Sequence, residues 1–128
     1  MNEFIAYVDG GFRKHIDIGA YGSFVVYFED KEVNRATFRL DSLTSNQAEY
    51  DSLLFLIDFL RYIFMSKKEV SVTIYSDSEL MINQINGKDR CYNKPLKAKL
   101  KRIRKFIKDK NITFIWVKRD KIVEILGH

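Results

Sequence analysis

Cysteine is almost absent from this chain, and the single Cys91 excludes both an internal disulfide and a cluster of thiolate metal ligands. It is expected as a partly exposed free thiol. Histidine is nearly as scarce. Neither His15 nor His128 has a second histidine or a cysteine at ligand spacing, which argues against zinc. Long apolar runs are missing too: the stretch Leu53 to Ile57 stops at Asp58, far short of a bilayer span. The start, Met1-Asn2-Glu3-Phe4, lacks the basic residues and apolar core of a secretory signal, so a cytoplasmic location is expected. No repeat, low-complexity stretch or linker interrupts the sequence. Its 128 residues suffice for one core and not for two, so residues 1–128 are read as a single domain.

What is present is a hydrophobic fraction of 46% beside a charged fraction of 30%, the balance of a globular protein. The net charge of +5 and pI near 9.3 favour a polyanionic partner. Position matters more than the total. Eleven of the 22 basic residues fall between Lys88 and Lys110, against only Asp89 and Asp109. Such a run is commonly a solvated helix face; it becomes a nucleic-acid footprint only if a matching site lies nearby.

Hydrophobic periodicity divides the chain. Phe4 to Asp9 is apolar at alternate positions of both parities, as in a central strand covered on two sides. Gly19 to Phe28 and Glu32 to Arg39 continue as an antiparallel meander around the turn Glu29-Asp30-Lys31. Thr44 with Gln47 forms a capping-box pattern, and Ala48, Leu53, Leu56, Ile57 and Leu60 make an apolar stripe to about Phe64. After Lys67-Lys68-Glu69 comes the strand Val70 to Ser76, then a short helix from Ser78 to Ile85, stopped by Asn86-Gly87. Pro95, the only proline, suits the first turn of another helix, with Leu96, Leu100, Ile103 and Ile107 inward and Lys97, Lys101, Arg104, Lys105 and Lys108 outward. Ile112 to Val117 is the last strand. Right-handed crossovers would make the first, fourth and fifth strands parallel neighbours. The expected fold is α/β, a five-stranded mixed sheet flanked by helices, with a C-terminal helix truncated or absent.

Within that order three carboxylates stand out. Asp9 ends the central strand and Asp77 ends the parallel strand beside it, and both belong at the carboxyl edge where such sheets place their sites. Glu49 lies four residues before Leu53 and seven before Leu56, on the inner face of its helix. Unpaired buried carboxylates cost several kcal/mol, so three together call for a cation, and their hard oxygens suit Mg²⁺ or Mn²⁺. Taken singly, each has a plainer role: a turn or cap for Asp9 and Asp77, a first-turn acid answering the helix dipole for Glu49. Gly10 and Gly11 suit a backbone passing close to a bulky substrate.

The segments Tyr7-Val8-Asp9-Gly10-Gly11, Thr44-Ser45-Asn46-Gln47-Ala48-Glu49, and Tyr75-Ser76-Asp77-Ser78-Glu79-Leu80 continuing to Asn83-Gln84-Ile85-Asn86-Gly87 resemble the ribonuclease H family, type 1. Trp116-Val117-Lys118-Arg119 is similar to the end of the family's last strand. The likeness spans nearly the whole chain. The short interval from Gly87 to Pro95 resembles the form without the basic protrusion. The resemblance implies an RNase H-like fold and endonucleolytic hydrolysis of the RNA strand of an RNA–DNA hybrid, leaving 5′-phosphate and 3′-hydroxyl ends. It also implies a pair of divalent ions, Mg²⁺ or Mn²⁺, held by Asp9, Glu49 and Asp77 as catalytic and metal ligands. Asn46, Gln47, Gly10 and Gly11 would contact the hybrid at its RNA 2′-hydroxyls; for Gln47 a role in the helix cap alone is an equal alternative. A monomer with no organic cofactor and no membrane partner is expected.

One family feature is missing. A fourth carboxylate normally follows the last strand, and Leu126 stands in its place. Asp120, Glu124 and His128 are the candidates to replace it, and the spacing selects none of them. The alternative to a nuclease is therefore a catalytically weak or inactive RNase H-like nucleic-acid-binding module. An exonuclease or junction resolvase of the same superfamily fits the acids but suits the Thr44 to Glu49 segment less well.

Overall fold

The computed structural model describes residues 1–13 and 19–127, so His15 and His128 lie outside the described residues. Five strands form one sheet in the order β3-β2-β1-β4-β5. They are β1 (Asn2–Arg13), β2 (Gly19–Phe28), β3 (Lys31–Leu40), β4 (Val70–Ser76) and β5 (Asn111–Trp116). β1, β2 and β3 pair antiparallel, whereas β4 runs parallel to both β1 and β5. The β2–β3 hairpin turns through Glu29 and Asp30, both at positive φ, a combination whose twist matches that of the flanking strands.

Helix α1 (Ser45–Ser66) lies across one sheet face. Phe4, Ala6 and Val8 of β1, Phe24 and Val26 of β2, and Val72 and Ile74 of β4 pack with its Leu53, Leu56, Ile57 and Leu60. Helices α2 (Glu79–Ile85) and α3 (Lys94–Ile107) extend this layer. The inward residues of α3 are Leu96, Leu100, Ile103 and Phe106, with Ile107 only half-buried: past the last full turn the helix seats its aromatic ring rather than the isoleucine. A fourth helix, α4 (Arg119–Leu126), is short but present, and it packs Ile122 and Leu126 against Val25 on the opposite face.

Two expectations need correction. β1 is covered on both sides only toward its carboxyl end; Ile5 is exposed, because eight-residue α4 cannot span the whole second face. Cys91 is buried rather than partly exposed, folded into the main core by the loop that joins α2 to α3.

Candidate active site

The parallel pairing of β1 with β4 sets the register of the site. Tyr7 stands opposite Tyr75, so Asp9 and Asp77, each two residues farther on, come side by side where the β1–β4 pairing stops. Asp77 follows the end of β4, whereas Asp9 does not end its strand as expected but stays paired with Ser23, because β2 carries β1 on to Arg13. Asp9 is buried, with its side chain 1% exposed, and that of Asp77 is 11% exposed. Glu49, the fifth residue of α1, reaches the same place from just beyond the first turn, which itself holds no acid, so it is not the first-turn acid of the plainer reading. Thr44 caps that helix by accepting from the Gln47 N–H at 3.1 Å. Gln47 Oε1 in turn accepts from the Leu43 N–H at 3.0 Å, so the carbonyl end of its side chain is committed to the cap. Asn46 is exposed beside it.

Glycine allows α1 to come this close. Gly10 and Gly22 face each other across β1 and β2. A Cβ on Gly10 would lie 2.3 Å from the carbonyl oxygen of Ala48, and one on Gly22 would lie 2.0 Å from Ser52 Oγ. A side chain at Gly10 would push away the helix turn that carries Glu49, whereas one at Gly22 would meet the side chains of Ser52 and Phe38. Gly11 is crowded differently, against the ring of Tyr21. The close approach inferred at Gly10 is thus made first by the protein's own helix.

The electrostatics tie the three acids together. Burial pushes the Glu49 carboxyl up from 4.5 to about 7; a hydrogen bond from Ser78 opposes this, and the charges of Asp77 and Asp9 add to it. Arg119 supplies the opposing charge. Its Nη1 donates to Asp77 Oδ2 at 2.8 Å and to Asp9 Oδ2 at 3.0 Å, which holds the guanidinium's own pKa above its ordinary value. Ser78 does double duty: Oγ accepts from the Met81 N–H at 3.3 Å as the cap of α2, and its hydroxyl serves Glu49. Trp116 Nε1 donates to the Asp77 carbonyl at 3.2 Å.

Arg119 and Ser78 are the site residues that the sequence reading did not select. The signal for Arg119 was its place one turn past a strand whose parallel partner ends in Asp77. For Ser78 it was the cap position next to that aspartate. Among the described residues no three side chains stand ready-made around an ion. Even so, three hard carboxylates, one of them reluctant to ionise, have the donor chemistry that fits a divalent metal.

Leu126, in the place of the fourth carboxylate, is buried against Val25 and Ile122. Asp120 and Glu124 are exposed on α4, and neither is among the groups that act on Glu49. Glu124 lies 3.9 Å from Lys121; its charge adds a little to the rise in the Tyr7 pKa, which comes first from burial and then from Tyr75 and Tyr27.

A five-stranded mixed sheet in the order β3-β2-β1-β4-β5 flanked by helices is the RNase H-like fold. The RNase H family model matches residues 1–121, and the chain belongs to that family. A ribonuclease H of Clostridium botulinum strain Hall is 34% identical over 91 residues, covering 69% of this chain and 56% of that protein. YpeP of Bacillus subtilis strain 168 is 31% identical over 96 residues, covering 72% of this chain and 41% of YpeP. The chain therefore spans about half the length of these curated relatives. Among solved structures, LC11-RNase H1 in complex with an RNA/DNA hybrid superposes with a TM-score of 0.84 at 25% identity, over 94% of this chain and 89% of that one.

Proposed function

We propose that this chain is a ribonuclease H that cuts the RNA strand of RNA–DNA hybrids, acting as one RNase H-like domain over residues 1–128 and as a monomer. The observation that carries this reading is the meeting of Asp9, Glu49 and Asp77 at one sheet edge in a member of the RNase H family. The hybrid bound to LC11-RNase H1 supports the choice of substrate.

In this reading Asp9, Glu49 and Asp77 hold the divalent ions. When bound, a pair of such ions supplies a hydroxide-like nucleophile and neutralises charge on the scissile phosphate and the departing 3′ oxygen, which gives 5′-phosphate and 3′-hydroxyl ends. The chain's own residues do the rest. Ser78 orients the Glu49 carboxylate, and the glycine seat fixes how far that carboxylate reaches over the strand ends. Asn46, the amide end of Gln47 and the backbone at Gly10 and Gly11 line the approach, where RNA 2′-hydroxyls distinguish RNA from DNA. On α3, Lys97, Lys101 and Lys105 form no ion pair or hydrogen bond among the described residues and are available for phosphate. Lys99 is spent on Asp51 at 2.7 Å, and Arg104 on the Gln84 carbonyl at 2.9 Å.

A second reading, a nucleic-acid-binding module that cuts weakly or not at all, is favoured by the burial of Leu126 in the place of a fourth acid. The deciding experiment incubates a labelled RNA–DNA hybrid, a DNA duplex and an RNA duplex with the protein in Mg²⁺ or Mn²⁺. Cleavage of the hybrid alone, abolished by Asp9→Asn, supports the nuclease. Tight, salt-sensitive binding without cleavage in either ion supports the module.

A further inference from the structure

A buried pair of carboxylates needs a positive partner whether or not a metal ion is at hand. Here the partner is covalently attached. One nitrogen of Arg119, Nη1, bonds Asp9 and Asp77 at once, at 3.0 and 2.8 Å. The side chains it joins are only 1% and 11% exposed, whereas its own remains 51% exposed. It enters from the first residue of α4 and can return to solvent without disturbing Ile122 or Leu126, which anchor that helix. The guanidinium and a divalent cation would compete for the same oxygens.

We propose that Arg119 is the resident counter-ion of the metal-free site: it occupies the Asp9 and Asp77 carboxylates until a divalent cation displaces it, and so it sets how tightly that cation binds. This rests on the reading of these acids as metal ligands. Metal binding then requires the minor state in which Arg119 has swung out. The apparent affinity is weakened by the fraction of time the carboxylates are free. The displaced guanidinium remains tethered at the rim of the site.

The test uses substrate-free protein and needs no turnover. Trp116 is the only tryptophan, and it sits on the Asp77 carbonyl, so its fluorescence reports on the site. Titration with MnCl₂ and MgCl₂, followed by this fluorescence and by calorimetry, compares wild type, Arg119→Gln and Lys118→Gln. The last variant removes a neighbouring charge that touches neither carboxylate. Arg119→Gln is expected to bind about tenfold more tightly, as an occupancy of the free state near one in ten requires. Lys118→Gln is expected to change affinity by less than about twofold, the scale of a screened surface charge. Unchanged or weaker binding in Arg119→Gln overturns the proposal, and so does an equal gain in Lys118→Gln, which would make the effect one of charge alone. If Arg119→Gln does not fold, the side-chain Nε–H resonance of Arg119 in wild type decides instead. It should shift as Mg²⁺ saturates the protein, and a resonance that stays put overturns the displacement. Equal binding in all variants sinks the counter-ion role and leaves the metal site standing, whereas no binding in any variant removes both.

Discussion

At the scale of single residues, Glu49 is the carboxylate of the site that departs furthest from its ordinary behaviour. In the folded, metal-free chain burial keeps its proton on up to about pH 7, against 4.5 for a free carboxyl. The folded state therefore binds more protons than the unfolded one between these values. Stability from this group is undiminished below about 4.5 and declines as pH rises through 7. Glu49→Gln removes that decline. In chelator, urea denaturation should find the variant more stable than wild type at pH 8 by on the order of 2 kcal/mol, and equal to it at pH 4. Adding Mg²⁺ at pH 8 should narrow the gap, because a cation then offsets the charge that the proton no longer cancels. Asp9, Glu49 and Asp77 were legible as candidates because each follows a strong local pattern, an apolar strand run or a capped helix start, although β1 continues past Asp9 to Arg13. Arg119 was not legible as their partner. It lies 110 positions from Asp9, and only the pairing of β4 with β5 brings it over the site.

At the scale of elements, the Gly10–Gly22 pair governs how α1 seats on the sheet. Gly10→Ala would place a methyl group 2.3 Å from a backbone oxygen that cannot rotate away. At Gly22 the nearest obstacle is the Ser52 hydroxyl, at 2.0 Å. Overpacking of this kind costs about 1–3 kcal/mol. Thermal denaturation should rank Gly10→Ala as the more damaging, and Gly22→Ala should recover part of its loss when combined with Ser52→Ala. In a hybrid-cleavage assay Gly10→Ala should lose turnover beyond its loss of stability, since the turn it displaces carries Glu49. The elements themselves were well marked: β4 begins and ends where its apolar run does, and α1 starts at the Thr44 cap. The eight-residue α4 was harder to foresee, because its apolar face amounts to little more than Ile122 and Leu126 and is recognisable only against Val25.

At the scale of the molecule, the basic character of the chain is concentrated but unequally available. Lys99 and Arg104 are engaged within the fold, and Lys110 is drawn onto Phe106 and Asp109, while Lys97, Lys101 and Lys105 face solvent on α3. If these three meet phosphates, replacing all of them with glutamine should reduce the slope of log affinity against log salt for a hybrid by roughly 2–3. Turnover at saturating substrate should change little, because none of them touches the carboxylates. Filter binding across a salt series, with cleavage measured in parallel, checks both parts.

Local chemistry in the chain was enough to mark five strands and the first three helices, the parallel placement of β1, β4 and β5, and the three acids as candidates. These depend on periodicity, caps and handed crossovers, which act over a few residues or follow general chain geometry. Only the tertiary structure decided which cation meets those acids, why Gly10 must be glycine, where Cys91 lies and what Leu126 does. Each of these is a contact between residues far apart in sequence, and distance along the chain carries no record of which side chains the sheet order will bring face to face.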